Sequence, residues 1–491
     1  MTTPSAQAPT PLDGVMRLAG WIMAAVGVGG YLFWAVDGGL VREGNWVGVD
    51  FRVYYQTAQA LTRGENIYQA GISPPYVYPP LLAILVTPLT ALPPTAAIIL
   101  WKLFQHVCLL ISGWILVRLV PARIRPLAAG MLLLGWLTHP LQEEIHVGES
   151  NSLILVLVAG ALWLIARRGQ GPGTRDQRLE TRGEGRGTRG EGREDRGTEI
   201  EGARQAELEL GPLAPRSTSL LPGFWSLAPG VLLALAVSIK VLPALFVGYL
   251  WWRGPRAVAA VATGGFLVVQ FVSLLITPST AQYWLVEFPG LFGQAFPFPD
   301  NQSINAFLAR ALLPTDPNLS PMQIASGEAL RPVLTWLANL LVLLAAVWVL
   351  WIARRPSTYY AGPGRNVRWL LEVGLVLLTT HLVSGSTWPH HLIQLSVPLL
   401  GLLGAWWLAQ EQQEGARTGR DTLLLALAVG ISFAALLHSP AEWMFAITKL
   451  IPNSPAIALL ASGVGLWVVL GLWGVVAATL VRQPKEELNR S

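Results

Sequence analysis

Charged residues are so scarce in this chain that they decide its class. Of the 491 residues, 13% are charged and 52% are hydrophobic, whereas soluble globular domains carry about 25% charged residues. One stretch, 167–216, holds 21 of the 63 charges, so the other 441 residues carry only 42. Because so few charges cannot cover a water-facing surface, the sequence predicts an integral membrane protein. The same composition excludes a disordered chain, and a single cysteine, Cys108, excludes an intrachain disulfide framework.

Apolar runs divide the chain into about twelve candidate membrane spans. The first begins at Arg17 and ends near Val36, and the others are 95–117, 127–141, 151–166, 223–239, 241–252, 257–277, 332–353, 369–383, 391–409, 422–437 and 455–481. The proline-rich stretch from Tyr78 to Leu92 is too short to cross about 30 Å of hydrocarbon, so we expect it at one face of the bilayer. The prediction is an all-α polytopic membrane protein.

Basic residues in the short loops predict the orientation. Alternate loops hold eleven arginines, at positions 118, 123, 125, 253, 256, 354, 355, 365, 368, 417 and 420, whereas the intervening short loops hold only Lys240 and Lys449. Because cytoplasmic loops are the basic ones, we expect both termini in the cytoplasm and the basic-poor loops outside the plasma membrane.

This orientation organises the chain into two membrane modules with cytoplasmic tails at 1–16 and 482–491. The modules are 17–166, with an outer loop at 37–94, and 223–481, with an outer loop at 278–331. Between them, 167–222 is a low-complexity insertion with repeats such as TRGEGRG and mixed charge. Such a composition is typical of a solvated, disordered linker.

Unusual polar residues concentrate near the predicted outer ends of the spans. They are Asp50, Glu143, Glu144, His146, Glu149, Lys240, Asn301, Gln302, Arg310, His390 and His391. Ionisable groups near membrane depth are candidates for function, although we expect Glu143 and Glu144 to be solvated loop charges. The sequence therefore predicts that any chemistry takes place on the outer side.

Asp50 directly precedes a predicted amphipathic helix in the first outer loop. Val53, Ala60 and Leu61 share one face of that helix, which we expect to lie along the membrane surface as a juxtamembrane element. The position allows two compatible roles for Asp50. It is a preferred residue type for a helix N-cap, and it is a candidate catalytic carboxylate.

Six short motifs follow one another along the chain. They are D-F-R-V-Y-Y with G-E-N-I-Y at 50–55 and 64–68, Y-x-Y-P-P at 76–80, H-V-G-E-S-N-S-L at 146–153, S-I-K-V-L-P at 238–243, N-Q-S-I at 301–304 with Arg310, and W-P-H-H at 388–391. Their order resembles that of glycosyltransferase family 87 of the GT-C superfamily. The resemblance covers roughly residues 15–410. One departure is Glu149, where the family usually has glutamine.

The resemblance implies a GT-C-like helical bundle and a mannosyltransferase-like activity with a polyprenyl-phosphate-linked hexose as donor. Asp50 matches the catalytic aspartate of the first outer loop, and would act as the general base of an inverting transfer. Cations can stabilise a departing phosphate, so Lys240, Arg310, His390 and His391 are the candidate phosphate ligands. The candidate ligands of sugar or acceptor are Tyr54, Tyr78, Glu149, Asn151, Asn301 and Gln302.

Structural explanations compete with several of these roles. Lys240 and Arg310 are long enough to snorkel to the lipid headgroups, and Tyr78 fits an interfacial aromatic belt. Neighbouring helical side chains point in different directions, so we expect only one of His390 and His391 to be central.

The predicted partners are the lipid-linked donor, a lipid or glycan acceptor, and membrane lipid, without nucleic acid. We predict no cofactor and no metal site; Glu144, His146 and Glu149 are metal-binding residue types, which leaves a divalent ion as an unsupported alternative. The chain has no P-loop and no dinucleotide fingerprint. Two other functions compete with this one. The first is a transporter or flippase of lipid-linked sugars, whose sequence should contain internal repeats, and the second is a membrane scaffold.

Overall fold

The computed structural model describes residues 11–39, 48–168, 224–291, 297–312, 330–353, 363–412, 418–451 and 454–482. Within these ranges the chain forms helices and no β-strand, as the apolar periodicity predicts. The helices of the first module are α1 (Pro11–Trp34), α2 (Val49–Thr62), α3 (Pro80–Val86), α4 (Pro94–Leu119), α5 (Arg125–Leu134), α6 (His139–Val147) and α7 (Asn151–Arg168). Beyond Arg168, the predicted insertion lies outside the described residues.

The second module continues the helical architecture. Its longer helices are α8 (Phe224–Ile239), α9 (Ala244–Arg253), α10 (Arg256–Ile276), α11 (Ile304–Leu312), α12 (Leu330–Ile352), α13 (Pro363–Val383), α14 (Ser396–Gln412), α15 (Thr418–Ala435), α16 (Pro440–Leu450), α17 (Pro455–Ala461) and α18 (Val464–Arg482). Short helical segments at Ser279–Gln282, Tyr283–Glu287 and Phe288–Leu291 follow α10, and a 3₁₀ helix at Pro389–Leu395 precedes α14.

Seven of the described helices are long and apolar enough to cross a membrane, which makes the chain a multi-pass membrane protein. Two further helix pairs reach that length only together and are sharply bent, α6 with α7 by 115° and α15 with α16 by 88°. The predicted number of about twelve spans is higher and stays a prediction. The stretch predicted to lie at one face of the bilayer forms α3 and a following 3₁₀ turn at Thr87–Ala91, both too short to cross.

Several predicted boundaries are wrong. Helix α1 begins at Pro11, inside the predicted polar tail, and already buries Asp13 and Met16. The predicted span 455–481 is two helices, α17 and α18. They are separated at Ser462 because its carbonyl accepts hydrogen bonds from Gln302 and Arg310 instead of from the next helical turn. The predicted loop 438–454 contains α16, whose N-cap Ser439 accepts a hydrogen bond from the amide of Glu442.

Helix α13 forms the centre of the bundle. In its spanning segment 83% of the residues are buried, compared with 17% in α1 and in α10. Helix α14 packs directly on α13, where a Cβ on Gly374 would lie 2.8 Å from Pro398. At the periphery, α1 approaches α5 at Gly20, where a Cβ would lie 2.4 Å from the carbonyl oxygen of Pro126. Small residues allow such close helix contacts in membranes.

A buried ion-pair network fixes α9 against α13. Arg253 and Arg368 were expected to be loop cations, yet both are buried beside Glu372, at 3.6 Å and 2.7 Å. Arg253 also donates to the carbonyl of Leu350 on α12, and Tyr249 donates to Glu372. Helix α13 begins at Pro363, six residues before the predicted span, so Arg368 lies in its second turn and inside the bundle.

Candidate active site

Asp50 lies in the first turn of α2 and not before it. The N-cap position is held by Gly48, with φ of 63°, and α2 begins at Val49. The predicted N-cap role of Asp50 is therefore wrong, although a carboxylate near a helix N-terminus is still electrostatically favoured. Burial, and then the negative charge of Glu149, raise the pKa of Asp50 to about 7 against the opposing charges of His390 and Lys240. A carboxyl group with such a pKa is suited to accept a proton at neutral pH.

The turn between α6 and α7 brings Glu149 next to α2. Helix α6 ends at Val147 and its C-cap is Gly148, with φ of 76°, where a Cβ would lie 2.8 Å from the Cβ of Phe51 on α2. Only glycine combines this backbone conformation with so close an approach. The Gly148 carbonyl accepts a hydrogen bond of 2.8 Å from the indole of Trp101, and Gln105 donates to the carbonyl of Glu149 at 2.6 Å. The bend between the two half-helices is thus held from α4.

The carboxylate of Glu149 is buried, with 2% of the residue exposed, and accepts several hydrogen bonds. Its Oε1 accepts hydrogen bonds from the Tyr54 hydroxyl at 2.5 Å and from the Ser150 amide at 2.6 Å, and its Oε2 accepts one from the Tyr78 hydroxyl at 3.0 Å. Burial and the charge of Glu149 hold the pKa of both tyrosines far above the usual range. Both phenols therefore stay protonated as donors.

Lys240 turns inward from the end of α8. Its Nζ lies 3.0 Å from Oε1 of Glu149, donates to Oδ1 of Asn151 at 2.8 Å, and lies 3.4 Å from Nε2 of His391. The Tyr78 ring covers the ammonium at 4.9 Å. With 4% of its surface exposed, Lys240 does not snorkel to the headgroups, and Tyr78 faces this cluster as well. Both structural explanations for these two residues are wrong.

Both adjacent histidines reach the cluster, contrary to the expectation that only one would. The rings of His390 and His391 are perpendicular with centroids 4.8 Å apart. His390 approaches Glu149 at 3.9 Å and Glu143 at 3.5 Å, while His391 faces Lys240. The local 3₁₀ geometry of Pro389–Leu395 places consecutive side chains on two sides of the same ion pair.

Glu143 and Glu144 are not solvated loop charges. Glu144 is fully buried and accepts hydrogen bonds from the Ser152 amide at 2.7 Å and the Asn151 side chain at 3.1 Å, so it caps the start of α7. Glu143 accepts a hydrogen bond from the His390 amide at 3.1 Å. Glu143 stands out in the sequence only as a polar residue near the outer end of a span and was expected to be solvated. Its contact with His390 could not be predicted, because the two residues are 247 positions apart.

The candidate residues Asn301, Gln302 and Arg310 lie in a second cluster, around the N-Q-S-I turn. Arg310 donates to the carbonyls of Phe298 and Asn301, at 2.6 Å and 2.9 Å. Gln302 accepts hydrogen bonds from the amides of Gly465 and Leu466 at the start of α18, and Oδ1 of Asn301 accepts one from the Thr387 amide. These contacts fasten the N-Q-S-I turn to α18 and to the loop before His390. The ligand roles of these three residues stay predictions.

Asp50, Glu149 and His390 together form an arrangement that could hold a metal ion. One ligand atom from each lies within 4.8 Å of the others. The ammonium of Lys240 already supplies a positive charge 3.0 Å from Glu149, which disfavours a divalent cation at the same carboxylate. The cluster thus brings one carboxylate of raised pKa next to a lysine and two histidines.

Comparison with known proteins identifies the family of the chain. The model of glycosyltransferase family 87 matches residues 76–175 and 217–367, just over half of the chain. The chain belongs to glycosyltransferase family 87. It is therefore a membrane glycosyltransferase, and the transporter and scaffold alternatives are wrong. The unmatched stretch 176–216 falls inside the predicted insertion.

A relative of named function supports the same family. The chain is 24% identical over 412 residues to a polyprenol-phosphate-mannose-dependent alpha-(1-2)-phosphatidylinositol mannoside mannosyltransferase of Mycobacterium tuberculosis, covering 78% of this chain and 76% of the relative. No solved structure matches the chain. The residues matched to the family model include Tyr78, Glu149 and Lys240 but neither Asp50 nor His390. The placement of those two in one site therefore depends on the fold.

Proposed function

We propose that this family 87 enzyme transfers a hexose, mannose, from a polyprenyl-phosphate donor to a hydroxyl of a lipid or glycan acceptor. The observation that carries the proposal is the position of Asp50, a carboxylate with a pKa of about 7, within 4.8 Å of Glu149 and His390. The donor and the sugar follow the named specificity of the mycobacterial relative.

Asp50 acts as the general base of an inverting displacement. The acceptor oxygen attacks the anomeric carbon, its proton passes to a carboxylate oxygen of Asp50, and the bond from the anomeric carbon to the phosphate oxygen breaks. The electron pair leaves with polyprenyl phosphate. A phosphate is a stable anion, so this reaction needs no second carboxylic acid of the kind that glycosidases use.

Lys240 and His390 stabilise the departing phosphate. Fixed cations at the position where negative charge develops lower the barrier without reorganisation. Glu149 and Asn151 hold the Lys240 ammonium in place, and Glu143 holds the His390 backbone. Nε2 of His391 also contacts the Lys240 ammonium, at 3.4 Å. Tyr54 and Tyr78 keep the Glu149 carboxylate oriented toward the lysine.

We place this site at the outer face of the plasma membrane. The asymmetry of arginines between alternate loops supports cytoplasmic termini, and the bundle of about twelve spans requires α8 and α9 to form a hairpin with Lys240 at its outer turn.

The test is transfer of radiolabelled mannose from polyprenyl-phosphate mannose in proteoliposomes. General-base catalysis contributes about 10²- to 10⁴-fold, so Asp50→Asn should reduce kcat by at least a hundredfold. Asp37→Asn removes an exposed carboxylate at the start of the first outer loop, which also contains Asp50, and should retain full activity. If Asp50→Asn is folded and keeps more than a tenth of the wild-type rate, Asp50 is not the base.

A further inference from the structure

A buried histidine, His381, lies in the last turn of α13, close to the candidate active site. Only 1% of its surface is exposed, and within the described part of the chain neither ring nitrogen has a hydrogen-bond partner. A neutral imidazole offers one N–H donor and one acceptor. Burying both of them unpaired is unfavourable for folding. At this position packing alone would therefore favour an apolar side chain, which points to a functional reason for the histidine.

The backbone of His381 is held in place by the loop that follows α13. The Thr387 hydroxyl donates to the carbonyl of His381 at 2.7 Å. The Thr387 amide donates to Oδ1 of Asn301 at 3.0 Å, and the Thr387 carbonyl accepts a hydrogen bond of 2.6 Å from the amide of Gln302. The N-Q-S-I turn thus fixes this turn of α13 through Thr387 and gives the ring of His381 a defined position.

The ring of His381 lies on the lysine side of the candidate active site. Helix α13 packs against α7 and against the 3₁₀ helix that precedes α14. Electrostatic interactions connect the His381 ring to Lys240 and to His391. The charge of Asp50 acts instead on His390. His381 therefore adjoins the proposed phosphate ligand and not the proposed base.

Lys240 and His391 bring two donors to one place. Nδ1 of His391 accepts a hydrogen bond of 3.2 Å from the amide of Trp388, so Nε2 carries the ring proton. This Nε2 lies 3.4 Å from Nζ of Lys240. The ammonium has three N–H donors, two of which serve Glu149 and Asn151. Because two neighbouring donors repel unless they share an acceptor, their arrangement suits the oxygens of an anion.

We propose that His381 is a further phosphate-binding residue of this enzyme. Its ring N–H joins the third N–H of Lys240 and the Nε2–H of His391 as a set of three donors for the phosphate oxygens. The inference rests on the proposed function for the identity of the donor substrate.

These three donors act mainly on the leaving group. In the proposed transfer the bond from the anomeric carbon to the phosphate oxygen breaks, its electron pair stays on that oxygen, and the acceptor proton passes to Asp50. A phosphodiester with one negative charge thereby becomes a phosphomonoester with about two at neutral pH. Hydrogen bonds to its oxygens strengthen as the charge develops, so they raise kcat more than they lower KM.

Substitutions of His381 separate binding from folding. His381→Leu removes both ring nitrogens, keeps a similar volume and breaks no ring hydrogen bond among the described residues, so Tm should be unchanged or higher. His381→Asn and His381→Gln each restore an N–H donor, near the positions of Nδ1 and Nε2. His381→Met is the second apolar variant if His381→Leu does not fold. His438→Leu is the matched control, because His438 is exposed and pairs with Glu442.

The kinetic test measures mannose transfer in proteoliposomes. Loss of one donor to a developing anion costs about 10²- to 10³-fold in kcat, so His381→Leu should reduce kcat about a hundredfold with KM within threefold. Either His381→Asn or His381→Gln should recover at least tenfold of that loss, whereas His438→Leu should match the wild type. A folded His381→Leu or His381→Met enzyme with kcat within threefold of the wild type would overturn the proposal.

A binding test separates this proposal from the proposed function, because it needs no turnover. The probes are a short-chain isoprenyl monophosphate and the isoprenol of the same chain, titrated into the detergent-solubilised protein. His381→Leu should weaken binding of the phosphate about ten- to a hundredfold and leave binding of the alcohol unchanged. Equal losses for both probes, or no loss for either, would overturn the role of His381 even if the wild type transfers mannose. Phosphate binding that depends on His381 in a protein that transfers no mannose would overturn the proposed function alone.

Discussion

The ionisation of Asp50 predicts an acid limb in the rate profile that an ordinary aspartate would not produce. The usual pKa is 3.8, and that of Asp50 is about 7. The base must be deprotonated to accept the hydroxyl proton, so kcat/KM should rise with pH through about 7 and level off above it. At pH 6, one unit below the midpoint, about a tenth of the enzyme is active.

Replacing Glu149 by glutamine removes the contribution of its negative charge to the pKa of Asp50. The carboxylate oxygens of Asp50 and Glu149 lie within 4.8 Å of one another, where two unit charges repel by about 3 kcal/mol at an effective dielectric constant of about 20. That energy corresponds to about two pH units. Glu149→Gln keeps the shape of the side chain and should move the acid limb down by about one to two pH units.

The assay is initial-rate transfer between pH 5 and 9 in proteoliposomes equilibrated on both sides. Glu65→Gln is the control. Glu65 is an exposed carboxylate just after α2, the helix of Asp50, and among the contacts that the structure shows it pairs only with Arg63. Its profile should coincide with that of the wild type. A flat wild-type profile from pH 5.5 to 8, or an unchanged midpoint in Glu149→Gln, would refute the electrostatic reasoning.

Three further predictions concern the cations and the second cluster. Lys240→Met should reduce kcat by about 10²- to 10³-fold in single-turnover measurements, and a loss below fivefold would remove Lys240 as a phosphate ligand. Arg310→Met removes the side-chain donor to the carbonyl of Asn301 and one of the two donors to the carbonyl of Phe298, and should destabilise the fold by about 1–3 kcal/mol, seen as a lower Tm. Because Lys240 supplies the charge beside Glu149, transfer should survive excess EDTA; a loss that Mg²⁺ or Mn²⁺ restores would establish a metal at Asp50, Glu149 and His390.

The sequence is most informative where polarity is exceptional. Membrane segments must be apolar, so residues such as Asp50, Glu149 and Lys240 are conspicuous, and the structure does bring these three together. The same reasoning separates spans from loops, since a helix of about 20 apolar residues has few alternatives to crossing a bilayer. Breaks within spans are harder to predict. The split between α17 and α18 depends on Gln302 and Arg310, more than 150 positions away.

Pairing of polar groups cannot be read from local sequence. Arg310 and Lys240 are both cations and both stand out in the sequence, yet one is bound to backbone carbonyls and the other to a buried carboxylate. The difference arises from which helix lies opposite, which is a tertiary property. The two histidines give the same lesson, because their joint orientation depends on a 3₁₀ segment that apolar periodicity does not distinguish from an α-helix.

One backbone hydrogen bond connects the base to its electrostatic partner. The amide of Gly48 donates to the carbonyl of His146 at 2.8 Å, two residues before Asp50 and three before Glu149. The start of α2 and the end of α6 therefore move together. Displacing a reacting group by about 1 Å can cost a hundredfold in rate, and here any motion of the α6–α7 bend carries the base with it. Trp101 of α4 holds the α6–α7 bend through Gly148. A substitution of Trp101 would consequently change the rate of proton transfer to Asp50, although Asp50 lies on α2.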